Sequence, residues 1–96
     1  MLERGAQSSG PMLTVRVLPT GRPTRVGFVC GRRFGGAVER NRGRRIMRAA
    51  WGQLVPRVVD GYDIVIVART GAVTAGSREA AAEMERALRS LGALAP

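Results

Sequence analysis

Residues 32–48 read Arg32-Arg-Phe-Gly-Gly-Ala-Val-Glu-Arg-Asn-Arg-Gly-Arg-Arg-Ile-Met-Arg48, which sets seven of the chain's 16 basic residues in 17 positions against a single acid, Glu39. A block so charged would ordinarily stay disordered, because like charges repel and no core forms. Here apolar residues run through and past it: Ile46, Met47, Ala50, Trp51 and Leu54. At ~100° per residue these five lie within about 140° of one another on a helix. Arg44, Arg48, Asn41 and Arg45 fall on the opposite side. The spacing predicts a folded helix over 37–55 whose wet face is almost purely cationic, a surface suited to a polyanion.

The flanks of this helix supply a sheet. Pro56 ends the helix and biases Val55 away from helical geometry. Upstream, Leu13 to Leu18 alternates, with Leu13, Val15 and Val17 on one face and Thr14, Arg16 and Leu18 on the other, the pattern of a half-buried strand. Pro19-Thr-Gly-Arg-Pro23 reads as a turn, and Thr24 to Cys30 as a second strand pairing with the first in an antiparallel hairpin. Arg16 and Phe28 both fit the face that helices leave open, with plain core the alternative for Phe28. Downstream of the Asp60-Gly61 turn, Tyr62 to Ala68 is a nearly continuous β-branched run, expected to be a strand buried on both faces. Arg69 to Gly76 is expected as loop.

Ser77 is expected to cap a last helix with Glu79 in its first turn. Its apolar stripe is Ala80, Met84, Ala87, Leu88 and Leu91, and Gly92 stops it. Glu85–Arg89 and Glu83–Arg86 are assigned to its wet face as ion pairs. Residues 1–11 are polar and Gly/Ser-rich, expected as loop.

Composition bounds the chemistry. Ninety-six residues form one domain, 1–96, with 45% hydrophobic residues, a net charge of +9 and a pI near 11.8. Every basic residue is arginine, a planar fork suited to phosphates and to stacking on bases. No apolar run approaches the ~20 residues that span a membrane. The start of the chain lacks an apolar signal-peptide core. A single cysteine, Cys30, excludes an internal disulfide and fits a reducing cytoplasm. Without histidine there is no zinc site. The acids Glu3, Glu39, Asp60, Asp63, Glu79, Glu83 and Glu85 are scattered, and no metal or acid–base constellation emerges. Gly31-Arg-Arg-Phe-Gly35-Gly36 precedes a helix but lacks the phosphate-loop lysine and spacing. The chain offers no catalytic residue, no metal ligand set and no cofactor site of its own.

The order of motifs is distinctive. Gly27-Phe28 on a strand, then Arg32-Arg33, Gly35, Ala37-Val38, Arg40-Asn41-Arg42, Arg44-Arg45 and Arg48 resembles the signature of the bacterial ribonuclease P protein subunit. That resemblance implies an α+β fold of order ββαβα, a two-layer sandwich with a small mixed sheet and helices on one side. It also implies an unusual left-handed β-α-β crossover, against the ~98% right-handed base rate. Residues 1–11 would be a loop or the remnant of a truncated first helix. Gly36 stands where the family has asparagine, and Gly43 where it has a β-branched residue; glycine there costs about 0.5–1 kcal/mol relative to alanine and leaves a gap in the buried stripe.

The same resemblance implies that catalysis belongs to the RNA subunit, which uses Mg2+ to remove the 5′ leader from precursor tRNA. Arg32, Arg33, Arg40, Asn41, Arg42 and Arg45 would contact the ribonuclease P RNA. Arg16, Phe28, Arg44 and Arg48 would face the leader cleft, with Arg16 standing where the family has an aromatic. The partners implied are that RNA and precursor tRNA, with no membrane and no protein partner required. Two other classes fit the basic helix: a non-catalytic RNA-binding module of ribosomal-protein type, and a DNA-binding or membrane-surface helix. The commitment of Trp51 and Leu54 to a core argues against a membrane helix.

Overall fold

The computed structural model describes residues 5–31, 35–69 and 76–95. Strands β1 (Ala6–Ser9), β2 (Leu13–Pro19), β3 (Arg25–Cys30) and β4 (Tyr62–Ala68) form one mixed sheet, with helices α1 (Ala37–Leu54) and α2 (Ser77–Ser90). The α+β class and the β3–α1–β4 unit are as expected. Residues 6–9, expected as loop, pair antiparallel with β2 as an additional strand.

The strand order is β1-β2-β4-β3, so the expected hairpin does not form. β4 lies antiparallel to β2 and parallel to β3, and Ile66 stands opposite both Val15 and Phe28. The β-branched run of β4 fills the centre, while β3, weakened by Gly27, takes an edge. The 19–24 connection must then cross two strand spacings, about 10 Å. It is fastened on the way: Thr20 N donates to Gly61 O at 2.8 Å, and Thr24 Oγ1 donates to Val59 O at 2.8 Å.

Alternation survives within β4, contrary to the two-sided burial expected. Ile64, Ile66 and Ala68 join Leu13, Val15 and Val17 in the core, whereas Val65 is 38% exposed. From the helices, Met47, Ala50, Leu54, Ala80, Met84 and Leu88 meet that face. The core is one layer thick, between sheet and helices.

At the helix ends, local chemistry departs from expectation. Val55 keeps helical geometry (φ −54°, ψ −36°), because Pro56 opens a 3-10 turn over Val55–Arg57, where its missing N–H costs little. Gly76, not Ser77, is the N-cap of α2, and Ser77 is its first helical residue.

Glu83 does not pair with Arg86 on the wet face. It is 5% exposed, and its Oε2 accepts the backbone N–H groups of Met12 (2.9 Å) and Leu13 (2.6 Å), pinning the β1–β2 turn to α2. A Cβ on Gly10 would sit 2.6 Å from that oxygen, so a side chain there would have to displace the Glu83 carboxylate that holds the turn. Glu85 behaves as expected with Arg89 (2.7 Å) and also takes Arg57 (3.2 Å).

Candidate nucleic-acid interface

The buried side of α1 fixes where its arginines go. Gly43, Met47, Ala50 and Leu54 face the core, so at ~100° per residue Arg45 stands almost opposite the core. Arg40 and Arg44 fall on the flank shared with Trp51, and Arg42 on the other. Trp51 marks the first flank as the β3 side, since its ring meets Phe28 edge-on with centroids 6.4 Å apart. Cys30 reports the same neighbours: burial pushes its thiol up, against the opposing charges of Arg44 and Arg40.

Two shallow depressions flank the crest. One, of about 460 Å3, is lined by Val38, Asn41, Arg44, Arg45 and Arg48. The other, of about 360 Å3, is lined by Arg42, Arg45, Ile46, Ala49 and Ser77. Arg45 belongs to both. Glycine at the N-cap brings no side-chain acceptor, and Glu39 compensates by accepting the Gly36 N–H at 2.9 Å. Arg40 Nη1 donates to Gly35 O at 2.9 Å, closing the same turn, and Gly35 holds φ +135° there.

Among the described residues the salt bridges are Arg25–Asp63, Arg57–Glu85 and Arg89–Glu85. None involves an arginine of α1. Five guanidinium groups on one helix therefore share a surface with a single carboxylate, itself turned back to the helix end. Such an arrangement attracts anions and repels a divalent cation. No group of three metal-ligating side chains occurs among the described residues, nor is any described helix long and apolar enough to cross a membrane.

The residues assigned from the sequence are brought together only in part. Arg40 lies on the flank with Arg44 rather than with Arg42. Arg44 and Arg48 share the β3-side depression. Arg16 and Phe28 are on opposite faces, so that Phe28 takes the core-side alternative and Arg16 alone keeps the open face. Phe28 is level with buried Ile66 and packs toward Trp51, while Arg16 is level with exposed Val65 on the open side. There Arg16 lines a depression of about 470 Å3 with Leu18, Asp63, Val65 and Val67. Arg32 and Arg33 lie outside the described residues.

Sequence reasoning passed over Val38, which is 74% exposed among the arginines. Its signal was present, since it falls outside the apolar stripe of α1. It also misplaced Glu83, although that residue falls about 40° from Ala87 at the margin of the α2 stripe.

These features define a class: a small α+β domain carrying a helix faced with arginines that make no ion pair among the described residues, beside an open sheet. The Ribonuclease P family profile matches residues 1–92. A ribonuclease P protein component from Chloroflexus aurantiacus is 48% identical over 69 residues, 71% of this chain and 51% of its own length. One from Dehalococcoides mccartyi is 39% identical over 92 residues, 95% of this chain and 72% of its own. The chain thus spans about half the length of the first of these relatives.

Among solved structures, the Staphylococcus aureus RNase P protein superposes with a TM-score of 0.79 at 20% identity, over 94% of this chain and 84% of that one. The Thermotoga maritima protein does so with a TM-score of 0.75 at 22% identity, over 85% and 79%. The chain belongs to the ribonuclease P protein family.

Proposed function

We propose that the chain is the protein subunit of a ribonuclease P ribonucleoprotein, binding the catalytic RNA and the 5′ leader of precursor tRNA and assisting removal of that leader by RNA catalysis. The observation that carries this reading is the α1 surface, with five arginines, one acid and no ion pair among the described residues. Family membership supplies the partner.

Charge and placement support a division of labour. Arg42 and Arg45 on the crest and outer flank, with Arg40, Asn41, Arg32 and Arg33, hold the ribonuclease P RNA through its phosphates. Arg44 and Arg48, beside Phe28 and Trp51, hold the single-stranded leader; Arg16, on the opposite face of the sheet, stands outside that contact. Arginine forks suit both tasks, since bidentate contacts to phosphate are geometrically matched.

The α1 surface does not fit a protein-bound Mg2+. The metal used in the cleavage belongs to the RNA, and this chain's part is to bind, orient and neutralise phosphate charge. The test is cleavage of precursor tRNA by the cognate RNA across a magnesium titration. Added protein is expected to restore cleavage at magnesium concentrations where RNA alone is inactive. Leader removal by rigorously purified protein without RNA, or no stimulation at any magnesium concentration, would overturn the reading.

A further inference from the structure

Asn41 stands in the middle of the Arg40-Asn41-Arg42 box, exposed, and lines the β3-side depression with Val38, Arg44, Arg45 and Arg48. An asparagine exposed at a nucleic-acid surface has two uses. It reads adenine by presenting both ends of its amide, Oδ1 accepting from N6 and Nδ2 donating to N7. Alternatively it donates to phosphate and carbonyl oxygens, which every nucleotide carries.

The structure chooses between them. Arg44, one turn further along α1, donates from Nη2 to Asn41 Oδ1. A guanidinium has five donors and no acceptor, so it can meet only the oxygen of the amide. The end left to offer is Nδ2, with its two N–H donors. Oδ1 retains a second lone pair, but an adenine amino group approaching it would bring its own donor against the Arg44 charge, with Arg45 and Arg48 lining the same depression.

We propose that Arg44 locks Asn41 as a donor-only side chain, so that the box grips acceptor oxygens and is blind to base identity. Arg44 acts here as a positioning residue. The inference rests on the RNA-binding reading above and specifies what that surface recognises: acceptors, in any sequence.

The test measures equilibrium binding of short labelled oligo(A), oligo(U) and oligo(C) RNAs at fixed salt. Each variant is compared with wild type on the same RNA, so that intrinsic stacking differences cancel. Asn41→Ala is expected to weaken all three by a common factor. Asn41→Asp, which can accept from Arg44 but donates nothing, is expected to weaken all three further. A loss on oligo(A) exceeding that on oligo(U) by about fivefold or more, the discrimination of a bidentate adenine contact, would overturn the proposal.

Arg44 is tested in the same assay. Arg44→Lys keeps a donor for Oδ1, and adding Asn41→Ala to it should again cost the three RNAs equally. Arg44→Met releases the amide, and adding Asn41→Ala should then cost oligo(A) more than oligo(U). An equal cost in the Arg44→Met background would overturn the locking role. Wild-type protein that binds none of the three RNAs would overturn the RNA-binding reading and this inference with it, a result distinct from base-selective loss.

Discussion

The two helices pack on the same core and treat their charges in opposite ways. In α2, Arg78, Arg86 and Arg89 are matched by Glu79, Glu83 and Glu85. Glu85 is bound from two sides, and Glu83 is spent inside the protein. In α1 five arginines face one carboxylate, and no ion pair relieves them among the described residues. Both helices bury an amphipathic stripe, so burial does not distinguish them. The imbalance does: α2 carries as many carboxylates as arginines, whereas α1 sets five arginines against one.

The comparison breaks most sharply at Glu83. Glu83→Ala strands one buried and one part-buried N–H group, the buried one costing about 1–3 kcal/mol when unpaired and the other less, so the domain should lose about 2–4 kcal/mol of stability. Thermal unfolding would show it, and once corrected for the folded fraction the RNA affinity should be unchanged. A melting temperature equal to wild type would mean that the carboxylate does not hold the turn.

The arginine pairs should behave in the reverse manner. Arg42→Ala with Arg45→Ala is expected to weaken binding to the ribonuclease P RNA by about 1–3 kcal/mol for the pair, since both side chains are exposed, without loss of fold stability. It should flatten the dependence on salt by roughly 0.7–0.9 for each phosphate that is no longer neutralised. Arg44→Ala with Arg48→Ala should instead reduce the preference for a precursor carrying a leader over one nearly without. Equal loss of RNA affinity from both pairs, with leader preference intact, would show α1 to be one undivided phosphate surface.

The smallest effect concerns pH. The hydrogen bond from Arg25 holds the Asp63 carboxyl below its usual range, and the hydrogen bond from Arg57 does the same for Glu85. A carboxylate lowered in the folded state contributes stability above its ordinary pKa and loses it as pH falls through the lowered one. Melting temperature should therefore hold steady from neutral pH down to about pH 5 and decline below about pH 4. Asp63→Asn combined with Glu85→Gln should reduce the decline, and an identical acid profile in that variant would count against the assignment.

Local patterns carried into the structure, as did the β3–α1–β4 unit, whereas the partner of β2 did not. The alternation of Leu13, Val15 and Val17 and the stripe of Met47, Ala50 and Leu54 both placed their residues correctly, because each depends on backbone period alone. In β4 the open face is also β-branched, so Val65 and Val67 disguise the alternation and imitate two-sided burial. The false hairpin came from nearness in sequence, whereas β4 competes for the same edge from far along the chain.

Glu83 shows the limit most plainly. Its partners are backbone N–H groups 71 and 70 positions away, which no side-chain pattern advertises. In the candidate site, the angular order of Arg42, Arg44, Arg45 and Arg48 was legible from helical spacing. Which flank of α1 meets β3 was not legible, because the contact of Trp51 with Phe28 is set by packing rather than by helical period.

The central position of β4 bears on how the molecule comes into being. Its neighbours β2 and β3 both precede it in the chain, so neither large strand has its main partner when it is made. The long-range pairings that dominate the sheet close late, and topologies of this kind fold more slowly than those built on local contacts. The flank of α1 that carries Arg40 and Arg44 is defined by its packing toward β3, and β3 is held in the sheet by β4 alone, so the side-to-side difference of the helix depends on residues 62–68.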